Sequence, residues 1–185
     1  VHEKYRPKRN GISPHDIAII KLYEPITFDR YIRPVPLPNP SDYHSKFCYT
    51  LGYGKEKSHR RSTDLRQIKL PMIEPHLCEK ISQSKFIRRH QLCAGYLQYQ
   101  DLSYWLSPKI VSKGDSGGAL MCRLKLANGT RGYVLIGLAT GGKRPKWFKR
   151  ADSLYISYFA DIKYHLKWIR SHSEISESIV SLHNE

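Results

Sequence analysis

No stretch of the 185 residues approaches the ~18 consecutive apolar positions that a membrane-spanning helix requires, so no helical membrane partner is expected. Acidic residues are scarce. Sixteen Asp and Glu stand against 31 Lys and Arg, a formal net charge of +15. The chain has no CxxC pair, no cysteine at metal-ligand spacing from a histidine, no zinc-finger spacing, no RNA-binding motif and no basic heptad array. These absences argue against nucleic acid as a partner and against a metal or other cofactor. Internal repeats and long low-complexity linkers are also missing. Val1 is neither an initiator Met nor the start of a signal-like apolar segment, which reads as a processed chain or one whose front lies upstream.

What is present is a packed globular composition, 40% hydrophobic and 11% aromatic. The basic residues cluster in "KYRPKR" (4–9), "KEKSHRR" (55–61) and "KRPKWFKR" (143–150). Solvated loops are the plain reading of such clusters, and attraction to sulfated glycans or acidic substrate segments is the functional one. Four cysteines, Cys48, Cys78, Cys93 and Cys122, make an even count that reads as two disulfides and an oxidising, extracellular setting. "NGT" at Asn128 fits a glycosylation acceptor and points the same way.

Short apolar or alternating runs recur between turn residues: "DIAIIKL" (16–22), "FCYTLGYG" (47–54), "LRQIKLPMI" (65–73), "QLCAGY" (91–96), "GALMCRLKL" (118–126), "GYVLIGLAT" (132–140) and "SLYISYF" (153–159). Their spacing predicts an all-β barrel or sandwich rather than βαβ units. Near the end, Phe159, Ile162, Leu166 and Ile169 fall at offsets of three, four and three, which predicts an amphipathic helix with Asp161 in its first turn. Beyond Arg170 the sequence becomes a polar tail.

"GDSGG", residues 114–118, carries the chemistry. Gly114, Gly117 and Gly118 allow a tight turn that exposes the Ser116 hydroxyl and aims successive backbone N–H groups at one point. Such a pair of N–H groups is an oxyanion hole, worth ~3 kcal/mol per donor in the transition state. Asp115, once buried, needs a cationic partner. A Gly-rich turn joining two strands is the plain alternative.

"GDSGGALMC" resembles the active-serine segment of the trypsin/chymotrypsin family of serine peptidases, and "HDIAIIKL" resembles the segment holding that family's triad aspartate. "FCYTLGYG", with Tyr53 where tryptophan is usual, "PHLCEK", "LCAGY" and "YFADIKYHLKWI" follow in the family's order. The resemblance implies a chymotrypsin-like double β-barrel with a C-terminal helix and a protein or peptide substrate. It makes Ser116 the nucleophile, Asp16 the residue orienting the catalytic histidine, and the N–H groups of Gly114 and Ser116 the oxyanion hole. Asp115 would receive the N-terminal ammonium released by zymogen cleavage. Cys48–Cys122 and Cys78–Cys93 would be the disulfides.

The family's "AHC"-like histidine segment has no counterpart in the fifteen residues before Asp16. His15 adjoins Asp16, but neighbours on a strand point to opposite faces. His2 lies in a basic stretch, and His44, His59, His76, His90, His165, His172 and His183 fall in loops, helix or tail. The expectation is therefore an N-terminally truncated chain: residues 1–40 a remnant of the first barrel with its connector, 41–170 the second barrel with its helix, and 171–185 the tail. A non-catalytic homologue that binds glycans or proteins through its basic loops is the second reading. By the same resemblance the substrate pocket is built from Ile110 at its floor, Val111, Lys113, Ala139, Thr140 and Gly141, with Asp152 able to supply a displaced negative charge. Ile110 stands where trypsin-like enzymes carry aspartate, and an apolar floor disfavours a buried Lys or Arg.

Overall fold

In "ALMCRLK" every second residue is apolar, and Leu120, Cys122 and Leu124 accordingly turn to one buried face while Arg123 and Lys125 stay in water. The computed structural model describes residues 1–7, 13–39, 45–55, 62–82, 87–96, 111–126, 129–143 and 156–173. Among them six strands form: β1 (Phe47–Gly52), β2 (Arg66–Ile73), β3 (Gln91–Ala94), β4 (Ala119–Lys125), β5 (Arg131–Lys143) and β6 (Ile156–Asp161). They close into an antiparallel barrel in the order β1-β2-β3-β6-β5-β4. The all-β fold implied by the sequence is the one observed.

Leu70, Leu92, Leu120, Val134, Ile136 and Phe159 fill the barrel interior. Cys48 and Cys122 face each other across β1 and β4, with Cα atoms 4.4 Å apart, and their disulfide stitches the seam where the barrel closes. A second disulfide ties Cys78, on the short helix α1 (Pro75–Ser82), to Cys93 on β3. Its two ends are 15 residues apart, which stabilises by roughly 3 kcal/mol in the chain-entropy description. One further turn of helix, α2 (Ile87–His90), leads into β3.

Helix α3 (Ile162–His172) starts later than the periodicity implied. Phe159 belongs to β6 and the barrel core, not to the helical stripe. Asp161 is the N-cap: its carboxylate accepts from the N–H groups of Lys163 at 2.8 Å and Tyr164 at 3.4 Å. The remaining stripe, Ile162, Leu166 and Ile169, packs with Ile17, Leu37, Leu135, Leu138 and Trp168.

Residues 13–39 form no strand, a departure from the expected run in "DIAIIKL". Among the described residues none of the six strands pairs with them. They are instead held at points. His2 N–H bonds the Ile17 carbonyl at 3.0 Å, Gln91 donates to the Ser13 carbonyl at 3.2 Å, and Leu135 N–H reaches the Pro36 carbonyl at 2.9 Å. Ile17 is buried, whereas Ile20, Tyr23, Phe28 and Tyr31 stand in solvent.

Candidate active site

The loop before β4 is welded to the barrel. Gly117 N–H donates to the Ala139 carbonyl at 2.7 Å, Ala139 N–H returns a bond to the Gly118 carbonyl at 2.9 Å, and Gly118 N–H closes a turn on the Asp115 carbonyl at 2.9 Å. Gly114 at φ 102° and Gly117 at φ 81° occupy left-handed conformations that a side chain would strain. The turn leaves Ser116 exposed. Among the described residues neither the Gly114 N–H nor the Ser116 N–H donates to a backbone carbonyl. Two unspent donors beside an exposed hydroxyl have the composition of an oxyanion hole.

Asp115 sets the pitch of that turn. Its Oδ1 accepts from Gly54 N–H at 2.8 Å and its Oδ2 from Ser112 N–H at 2.8 Å, with the Ser112 hydroxyl at 3.2 Å. Neutral amides thus supply the partner that the sequence reading sought in a cation. A Cβ on either Gly52 or Gly54 would run into this carboxylate, so both glycines of "LGYG" are there for close approach. The Ser112 hydroxyl also donates to the Lys55 carbonyl at 2.7 Å, joining the loop to the strand end that carries Gly54. The cradle of Gly52, Gly54 and Ser112 was not visible from motif spacing, since Gly54 and Asp115 lie 61 residues apart.

Asp16 lies partly buried, and burial pushes its carboxyl above the usual carboxylate range. No hydrogen bond or ion pair joins it to Ser116 or to a histidine among the described residues. Four of the described histidines gather elsewhere. His15, at φ 55°, stacks on His2 with ring centroids 4.5 Å apart and meets His90 at 4.7 Å and His165 at 5.4 Å. Burial lowers the pKa of each of the four, His15 to about 4, with repulsion from its ring neighbours adding to the effect there. These rings are uncharged at neutral pH, and none contacts the Ser116 loop. Sequence reading set His15 beside Asp16, His2 in a basic stretch and the others in loops, helix or tail; it did not foresee that four of them meet.

Of the pocket residues, Val111 and Ala139 are packed into the barrel core, and Lys113 is exposed. Thr140 is the extra residue of a bulge, because Ala139 pairs with Phe159 and Gly141 with Tyr158, and its hydroxyl donates to the Tyr158 carbonyl at 3.2 Å. Past Leu138 the β4 ladder ends, and Ala139–Lys143 pair with β6 alone among the described strands. Ile110, Asp152 and Asn128 lie outside the described residues, as does most of the basic clusters 55–61 and 143–150.

No described helix is long and apolar enough to cross a membrane. The Trypsin family model matches residues 1–169, a span that takes in the barrel, the two disulfides and the Gly-framed serine. The chain belongs to the trypsin family of serine peptidases.

Proposed function

We propose that this chain is the second-barrel portion of a secreted serine endopeptidase that cleaves protein or peptide substrates through an acyl-enzyme. Ser116 attacks the scissile carbonyl, and the N–H groups of Gly114 and Ser116 take the charge that develops on its oxygen. Asp16 orients an imidazole that removes the serine proton and returns it to the leaving amine. That imidazole comes from polypeptide outside residues 1–185. The flank of β5 at Gly141–Lys143, beyond the bonds that tie Ala139 to Gly117 and Gly118, suits an extended substrate, whose backbone would pair there as an added strand. One observation carries the reading: Asp115, held by Gly54 and Ser112, keeps the Gly114–Gly118 turn in a shape with two idle amides beside an exposed hydroxyl.

The test is labelling of the native protein, purified from its source, with a fluorophosphonate. The expected result is one label per chain on Ser116, lost in Ser116→Ala. Absence of labelling in the native protein refutes the reading and favours the non-catalytic homologue.

A further inference from the structure

Four histidines with no motif spacing in the sequence, His2, His15, His90 and His165, meet where the amino-terminal segment crosses α3. Ring stacking accounts for their packing. It does not account for where their nitrogens point. His165 is 1% exposed; its Nδ1 faces the Asp161 carbonyl at 2.6 Å, and its Nε2 is buried with no hydrogen-bond partner. A carbonyl can only accept, so the ring proton sits on Nδ1 and Nε2 carries a bare lone pair. His15 Nδ1 is likewise buried and without a partner. His2 is 7% exposed, and its Nδ1 is engaged by Lys4 N–H at 3.1 Å with the Glu3 carboxylate 3.5 Å away, which leaves Nε2 as its inward atom. One nitrogen from each of His2, His15 and His165 lies within 4.8 Å of the other two.

We infer that His2, His15 and His165 form a binding site for a divalent transition-metal ion of the zinc class, which fastens the amino-terminal segment to α3. Three neutral imidazoles are a donor set suited to such ions. At Zn–N bonds of about 2.0–2.1 Å, tetrahedral ligands stand roughly 3.3 Å apart, so the rings must close by under about 1 Å each. The second shell is in place for two of them. The Asp161 carbonyl already holds the His165 proton on the far nitrogen, and Glu3 is placed to hold that of His2 once Lys4 N–H gives up its bond. Glu3 is itself fixed by Trp168 Nε1–H at 2.8 Å, on the same helix as His165. Lys4 lies close enough to His2 and His15 to oppose a cation, so affinity rests on the lone pairs rather than on the local field. A fourth position is left for water. The site is separate from Ser116 and does not depend on whether that serine is active.

The experiment is a titration of the purified chain, free of affinity histidines and stripped with chelator, with Co(II) alone, read by visible d–d absorption. Zn(II) is then added in competition. The expected result is a tetrahedral spectrum saturating at one equivalent, displaced by Zn(II), and at least about tenfold weaker in His15→Gln and in His165→Gln. His76→Gln, an exposed histidine elsewhere, should stay within about twofold of wild type. Zn(II) should also raise the melting temperature of wild type and leave that of His165→Gln unmoved. Failure of the wild-type chain to take up Co(II) overturns the inference whatever the variants do. So does equal binding by folded His15→Gln and His165→Gln.

Discussion

Replacing Asp115 with Asn tests the physical basis of the serine loop by the sign of its effect. The carboxylate accepts one backbone N–H on each oxygen, from Gly54 and from Ser112, both at 2.8 Å. An amide has only one oxygen. Whichever way it is turned, one of the two N–H groups faces an NH2 donor, and the bond that survives loses its charge. A hydrogen bond to a charged group is worth about 1.5–3 kcal/mol and a neutral one roughly half of that, so Asp115→Asn should destabilise by about 2–4 kcal/mol. At a urea slope near 2 kcal/mol/M, this lowers the unfolding midpoint by about 1–2 M. Far-UV circular dichroism reads the midpoint, and amide exchange at Gly54 and Ser112 should rise with it. Gly54→Ala should act in the same direction, because its Cβ claims the space of the carboxylate. If Asp115 were instead a carboxylate wanting a cation, removing its charge would relieve a desolvation cost and Asp115→Asn would stabilise. An unchanged or raised midpoint refutes the cradle.

Two other outcomes follow from local geometry. Asp161→Ala removes the N-cap of α3 and should cost about 1 kcal/mol in urea unfolding, with the loss of helicity confined to the first turn. Asp29 accepts from the N–H groups of Tyr31 and Ile32, both at 2.7 Å, and these bonds hold its carboxyl below the usual range. Because the folded pKa is the lower one, the turn's stabilisation is complete at neutral pH and is lost as pH falls through that depressed value; chemical shifts of the Tyr31 and Ile32 amides should titrate there, and not in Asp29→Asn.

The barrel was legible in the sequence because a strand's alternation is local. "ALMCRLK" declares its buried face without reference to its partner. The helix was legible for the same reason, but its start was not: Phe159 fits the helical period by coincidence, and only its ladder partners Leu92 and Ala139 place it in β6. Asp161 marks the change because its side chain caps rather than continues the turn. "DIAIIKL" misled in the opposite direction. A strand needs an edge to pair with, and alternation alone does not supply one. At the site, Ser116 and its glycines were readable since five consecutive residues make the turn. The Asp115 cradle and the histidine cluster were not, because each is assembled from residues brought together only by the closed barrel and the packing of α3.

That closed barrel has a kinetic corollary. Its last seam aligns Cys48 with Cys122, positions 74 residues apart in the chain, and no ring of strands exists until they meet. The entropy of drawing in so long a loop is lost before the pairing returns any of it, which puts folding in the slow millisecond-to-second regime of non-local β topologies. Once linked, those two sulfurs hold that seam shut across a separation of 74 residues.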